Sequence, residues 1–382
     1  GHPVQGYFQS TGTNQYGFSL QPSTSQNIYN PTTDTLVIDP LVYATFLGGK
    51  YGTGGPCTFI SVDDQECAYI IGVTLFNDFP MTVTVGGKKA PGYDQTHNGD
   101  EDAFVVKLNP EGTKLEYATF LGGEKHDSCT TLAIDNQGCA YVCGYTDSPD
   151  FPINVTIGGK KAPGYDQTNN TFGNSFVVKL SPQGDKLEYA TYMGGKFGAR
   201  CTSISVDNSG YAYLAGLTIS TDFPMTVTVG GKKAPGYDQT HNGGLTGDGF
   251  VVKLNPEGTK LEYSTFLGGE DSEKCYSIEV DNLGCAYVGG YTDSPDFPMM
   301  ETVGGKKTPG YDQTYNGDGD AFVVKLNPEG TKLEYSTFLG GEDRDECTSL
   351  AIDNKGCAYV GGSADFPMTV TVGGKKAPGY DQ

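Results

Sequence analysis

The chain has no tryptophan, only four histidines, and 25 Lys plus Arg against 46 Asp plus Glu. Each shortage narrows the possible functions. His2, His97, His126 and His241 share no repeat position other than His97 with His241. Convergent ligands for a zinc site or a catalytic triad therefore cannot be assembled from them, and no enzymatic activity is expected. A net charge of -21 excludes partners held by clustered Lys and Arg, so nucleic acid and anionic lipid surfaces are not expected. Divalent cations would be attracted. No apolar run approaches the ~20 residues that span a bilayer, and membrane insertion is not expected. The opening Gly1-His2-Pro3-Val4 lacks both a Met and the apolar core of a signal peptide. It reads as the processed start of a secreted chain.

What is abundant points to β structure. Among 382 residues there are 56 Gly, 21 Pro, 25 Tyr and 19 Phe, a composition suited to many short aromatic strands joined by tight turns. One motif recurs: LVYATFLGG at Leu41, LEYATFLGG at Leu115, LEYATYMGG at Leu187, and LEYSTFLGG at Leu261 and Leu333. The intervals are 74, 72, 74 and 72 residues. Within a period, four segments alternate apolar and polar residues, the pattern of half-buried strands. TTLAID from Thr130, CAYVCGYT from Cys139, SFVVKL from Ser175 and LEYATYM from Leu187 illustrate strands A, B, C and D. Turn chemistry joins A to B at Asp135-Asn136-Gln137-Gly138, and C to D at Asn109-Pro110-Glu111-Gly112.

Four-stranded meanders repeated at this length indicate propeller blades. The expected fold is all-β, a five-bladed β-propeller of four-stranded antiparallel blades. The last copy stops after strand B at Ala358-Tyr359-Val360-Gly361-Gly362, whereas the first opens with Thr35-Leu36-Val37-Ile38-Asp39 and LVYATFLGG. Residues 35–49 are therefore expected to supply strands C and D of the last blade, which removes exposed sheet edges. Residues 1–34 form an N-terminal extension, and 35–382 the propeller.

VDNLGCAYVGGYTDSPDFP from Val280, PGYDQTYNGDGDAFVVKLNPEG from Pro309 and LEYSTFLGG from Leu333 resemble the SBBP-type β-propeller repeat family. The resemblance covers residues 35–382. It implies a propeller on extracellular or cell-surface proteins, usually without a defined catalytic activity, and it names no ligand. The cysteines and the inserted MTVTVGGKKAP segments depart from the family pattern.

Carboxylates recur at two positions. Asp63, Asp135, Asp207, Asp281 and Asp353 end strand A, and Asp78, Asp150, Asp222, Asp296 and Asp365 lie in DFP after strand B. Both sets are expected to accept hydrogen bonds from turn amides. The loops before strand C, Asn98-Gly99-Asp100-Glu101-Asp102 and Asn316-Gly317-Asp318-Gly319-Asp320, offer closely spaced oxygens. Asp100, Asp102, Asp318 and Asp320 are accordingly candidate calcium ligands.

Eight of the ten cysteines form four pairs at a spacing of ten: Cys57 and Cys67, Cys129 and Cys139, Cys275 and Cys285, Cys347 and Cys357. Cys201 faces Tyr211 instead of a tenth-residue partner, and Cys143 replaces a glycine. Members of a spacing-ten pair sit ~16 Å apart along the hairpin, too far for a bridge. The hairpin register places Cys129 nearly opposite Cys143, so a disulfide within that blade is expected. The other eight suggest head-to-tail stacking with bridges between subunits: Cys57 to Cys139, Cys201 to Cys285, Cys275 to Cys357 and Cys347 to Cys67. Buried free thiols are the alternative. Asn154-Val155-Thr156 and Asn169-Asn170-Thr171 match the glycosylation acceptor pattern. The repeated TVTV is compatible with a short strand, and the Gly-Gly-Lys-Lys after it with an exposed turn.

The functional expectation is an extracellular or cell-surface structural or adhesive protein that assembles with copies of itself. A glycan-binding module using Tyr93, Tyr165, Tyr237, Tyr311 and Tyr380 is the alternative, since aromatic rings beside Asp and Asn stack on sugars.

Overall fold

The computed structural model describes residues 6–12, 15–20, 44–50, 52–81, 84–85, 88–89, 92–154, 156–157, 160–161, 164–168, 173–225, 228–229, 232–233, 236–244, 246–299, 302–303, 306–307, 312–363, 371–372 and 375–376. The chain divides into two compact units, residues 1–44 and 45–382. In the first, Gly6–Gly12 pairs antiparallel with Gln15–Leu20.

In the second unit, the period-two segments form four four-stranded antiparallel sheets, each in the order A-B-C-D. The first sheet comprises Gly54–Val62, Ala68–Thr74, Asp102–Leu108 and Leu115–Leu121. The second comprises Asp127–Ile134, Ala140–Thr146, Asn174–Leu180 and Leu187–Met193. The third comprises Arg200–Val206, Ala212–Thr218, Asp248–Leu254 and Leu261–Leu267. The fourth comprises Glu273–Val280, Ala286–Thr292, Asp320–Leu326 and Leu333–Leu339. A fifth sheet holds two strands, Glu346–Ile352 and Ala358–Ser363. The chain is thus all-β with repeated four-stranded antiparallel sheets, as a propeller requires. Of residues 35–49, expected to complete the fifth sheet, 35–43 lie outside the described residues, and 44–49 form no strand with that sheet, Phe46 being fully exposed.

The TVTV insertions make two-residue ladders such as Thr84↔Lys89 and Val85↔Lys88. A ladder of this kind recurs after strand B in each of the five copies. Among the described residues, no helix is long and apolar enough to cross a membrane.

Sheets stack face to face in chain order. Strand A of the third sheet lies on strands A and B of the second, and strand A of the second on strands A and B of the first. Apolar clusters fill the junctions. Ile71, Val105, Leu132 and Val142 meet between sheets one and two, and Val177, Ile204, Leu214 and Val252 between two and three. The DFP phenylalanines add to this packing, with Phe79 against Phe104 at 4.3 Å and Phe151 against Phe176 at 4.4 Å between ring centroids. Burial of one such ring contributes about 1.5–3 kcal/mol.

Turn geometry follows the sequence. Gly138, Gly210, Gly284 and Gly356 adopt φ of 78–82° at the A-B turn, a region open to glycine. The first sheet has Glu66 there, at φ 63°.

Candidate functional site

The strand-A aspartates anchor their turns. Asp135 Oδ1 accepts hydrogen bonds from the Gln137 and Cys139 amides at 3.0 and 2.9 Å. Asp63 and Asp281 do the same in their sheets. The other carboxylate oxygen meets a strand-C lysine: Asp63–Lys107 at 3.1 Å, Asp135–Lys179 at 3.3 Å and Asp281–Lys325 at 3.1 Å. Burial alone would raise Asp63, but the Cys67 amide and Lys107 outweigh it and hold the carboxyl below its usual value.

A strand-B tyrosine extends each network to the next sheet. The Tyr69 hydroxyl is shared between Asp63 Oδ2 at 3.1 Å and the Gly138 carbonyl at 3.0 Å. Tyr141 reaches Gly210, Tyr213 reaches Gly284 and Tyr287 reaches Gly356 in the same way. The turn glycine of one sheet is therefore held by the tyrosine of the sheet before it. Beside this network, a cleft of about 380 Å³ lies between neighbouring turns, lined by Asp281, Asn282, Lys325, Asp353 and Asn354.

On the opposite side, the DFP aspartates cap the loop that enters their own sheet. Asp150 accepts from the Glu124 amide and Asp222 from the Lys196 amide, both at 2.9 Å. Asp78 and Asp296 accept from Lys50 and Glu270, and Asp365 lies outside the described residues. Here an open cleft of about 420 Å³ gathers Tyr165, Asp166, Thr168, Lys196, Asp222 and Pro224. Tyr93, Tyr165 and Tyr237 are half-buried and pack against the inter-sheet clusters. Tyr311 and Tyr380 lie outside the described residues.

The four expected calcium ligands are not brought together. Asp100 and Asp318 are exposed, whereas Asp102 and Asp320 are buried at the start of strand C. Among the described residues, no group of three or more His, Cys, Asp or Glu side chains is placed to hold a metal. Asp102 and Asp320 meet other acids instead. A Cβ on Gly122 would lie 2.3 Å from Asp102 Oδ1 and 3.1 Å from Asp127 Oδ2. One on Gly340 would lie 2.5 Å from Asp320 Oδ1 and 2.6 Å from Asp345 Oδ2. Asp248 and Glu273 flank Gly268 in the same manner. Burial, opposed by the Thr146 and Ser148 hydroxyls, pushes Asp127 up to about 6. The same cause raises Glu273 to about 7 and Asp320 to about 6. The second-to-third junction has Asn174 and Ala199 at these positions. That paired loss of both acids is the signal, missed in the sequence, that they act together.

The expected disulfides need correction. Neither the bridge within the hairpin nor any other disulfide is present in this structure. A bulge at Thr130 shifts the hairpin register, so Cys143 faces Thr131 and Cys129 faces Gly144. Adjacent residues on a strand project to opposite faces. Cys129 accordingly turns toward the first sheet, its Sγ donating to the Gly72 carbonyl at 3.0 Å, and Cys143 toward the third. The bridges between subunits also fail. Cys67, Cys139, Cys201, Cys275, Cys285 and Cys347 are buried, and only Cys57 and Cys357 of the eight are exposed. The strand-A cysteines Cys129, Cys201, Cys275 and Cys347 fill junctions as small apolar groups rather than presenting sulfur on an outer face. Asn154 ends the short 3-10 turn Pro152–Asn154, and Asn169 lies outside the described residues.

His97 and His241 each contact a strand-B carbonyl, Thr74 and Thr218 at 3.1 Å. His126 pairs with Glu101 at 2.6 Å. Among the described residues these histidines stay in separate loops.

A model of the SBBP β-propeller repeat matches residues 116–152 and 188–224, each running from strand D of one sheet through strands A and B of the next. The chain carries SBBP repeats. The chain is also similar to the regulatory protein FlaEY of Caulobacter vibrioides (strain ATCC 19089 / CIP 103742 / CB 15), at 25% identity over 274 residues. That match covers 69% of this chain and 26% of the relative, so the chain spans about a quarter of the relative's length. Among solved structures, CoXyl43, a GH43 β-xylosidase/α-arabinofuranosidase from a compost microbial metagenome, is similar at 11% identity and TM-score 0.32. The alignment covers 80% of this chain and 93% of that one. A D477G ACO/RPE65 chimera matches at 10% identity and TM-score 0.30, over 75% and 62% of the two chains. The expectation that enzymatic activity is excluded is withdrawn, because a glycosidase stands among these similar structures. At a TM-score of 0.32 the likeness carries no argument for an activity here.

Proposed function

We propose that the chain is a closed five-bladed propeller and that it serves as a structural or adhesive unit at or outside the cell surface. Two surfaces support closure. The first sheet presents Ile60 and Val62 at 61 and 59% exposure, and the fifth sheet ends on strand B. Residues 35–49 carry the strand C and D pattern that this sheet lacks. Their addition would give the fifth sheet the same four strands as the others, ready to cover the apolar face of the first.

The structural role rests on one observation: four successive junctions use the same tyrosine-to-glycine bond. A ring built so uniformly offers the same turns and loops around both faces, which favours stacking with further copies. Such contacts would be non-covalent, since the cysteines needed for bridges are mostly buried. Electron microscopy of the full chain at neutral pH should reveal stacked rings. Single rings at every protein concentration would oppose the proposal.

A glycan-binding reading is supported by the cleft holding Tyr165, Asp166 and Asp222, where an aromatic ring and two carboxylates line an open surface. Glycan-array binding by the full chain, lost in Tyr165→Ala, would favour it over the structural reading.

A further inference from the structure

Four spacing-ten pairs account for eight of the ten cysteines, leaving Cys143 and Cys201. These two come from different sheets, on strand B of the second and strand A of the third. Both are fully buried and belong to the same apolar cluster. One hydroxyl joins their backbones: Thr130 Oγ1 lies 3.1 Å from the carbonyl of Cys143 and 3.1 Å from that of Cys201. The thiols also meet. Burial, together with a hydrogen bond that the Cys201 thiol donates to Cys143, raises Cys201 well above the usual thiol range.

The repeat provides a geometric comparison. Gly289 occupies the position of Cys143 two sheets later, and a Cβ there would lie 2.3 Å from Cys347 Sγ. A side chain at this strand-B position therefore points straight at the strand-A sulfur of the following sheet. The equivalent position is Ile71 in the first sheet and Ala215 in the third. Only the second sheet places sulfur against sulfur.

We infer that Cys143 and Cys201 form a disulfide that joins the second and third sheets. The bond is made during folding, before the junction closes over the thiols. With glutathione disulfide as oxidant, one cysteine thiolate attacks a glutathione sulfur, forms a mixed disulfide and releases one glutathione thiol. The second cysteine thiolate then attacks the protein sulfur of that mixed disulfide and releases the second. The two cysteines lose two protons and two electrons, and one glutathione disulfide becomes two thiols. The bridge replaces the thiol contact at a junction that lacks the buried acid pair of its neighbours.

The test is to refold the reduced full chain in a reduced and oxidised glutathione buffer, alkylate it in denaturant without reductant, and map chymotryptic peptides by mass spectrometry. Cleavage after Tyr141, Tyr145, Phe197 and Tyr211 isolates each cysteine on its own peptide. The expected result is a Cys143 peptide linked to a Cys201 peptide, two hydrogens lighter than the pair, with the other eight cysteines alkylated. Recovery of Cys143 and Cys201 as alkylated single peptides, or of either one linked to a different cysteine, overturns the inference. In Cys143→Ala, which places at 143 the residue found at 215, Cys201 should become alkylated. Reductant should lower the Tm of the native sequence and leave that of the variant unchanged; equal responses would also overturn it.

Discussion

Ile60 and Leu132 occupy the same position of strand A in consecutive sheets, yet Ile60 is 61% exposed and Leu132 is 3% exposed. The later equivalents Ile204, Ile278 and Leu350 resemble Leu132, at 5, 2 and 4%. Strand A of the second to fifth sheets is covered by the sheet before it, and the first sheet has no preceding sheet among the described residues. If the ring closes as proposed, Ile60→Ala should cost about 2–5 kcal/mol, close to the cost of Leu132→Ala. Urea unfolding of the two variants checks this. A loss at Ile60 near zero would mean that its surface stays in water.

Glu66 holds a backbone conformation that the other four A-B turns give to glycine. A side chain there costs about 1–2 kcal/mol. Glu66→Gly should therefore stabilise the protein by about 1 kcal/mol, after the loss from a more flexible unfolded chain. Thermal unfolding should reveal a higher Tm.

Lys179 and Asp135 form a largely buried pair, with side chains 13 and 2% exposed. Lys179→Met would leave the Asp135 carboxylate without its cation and should cost about 3–5 kcal/mol. Tyr141→Phe removes a shared hydroxyl from the same network and should cost only about 0.5–1.5 kcal/mol. Denaturant midpoints of the two variants measure the difference.

Asp127, Glu273 and Asp320 are raised by burial to about 6, 7 and 6. The unfolded chain releases these protons near pH 4, so the folded chain binds more protons from about pH 4 to about pH 7. Stability from these groups is present at the acid end of that window and lost as the pH rises through it. The Tm should be higher at pH 5 than at pH 8. Asp102→Asn with Asp127→Ala, the pairing found at Asn174 and Ala199, should flatten the dependence.

Much of this architecture is legible in the residues. Period-two alternation marks the strands, and the Asp-to-Gly turns fix where they reverse, as at Asp135–Gly138. The bulge at Thr130 is not legible, because one extra residue in strand A changes no local preference. It nevertheless turns Cys129 and Cys143 to opposite faces, which is why a plausible bridge within the hairpin became a contact between sheets. The loop acids illustrate the same limit. Asp100 and Asp102 look alike as neighbouring oxygen donors, but only Asp102 enters the strand and is buried. Its partner Asp127 lies in the next repeat, and the link emerges only when Asp102, Asn174, Asp248 and Asp320 are aligned with Asp127, Ala199, Glu273 and Asp345.

Closure of the ring is tested most directly by backbone hydrogen exchange on the monomeric full chain, following residues 41–47 and strand Ala358–Ser363. If residues 35–49 complete the fifth sheet, amides in both stretches should be protected to the degree found in Leu261–Leu267. Free exchange in residues 41–47 and along the outer edge of Ala358–Ser363 would contradict it.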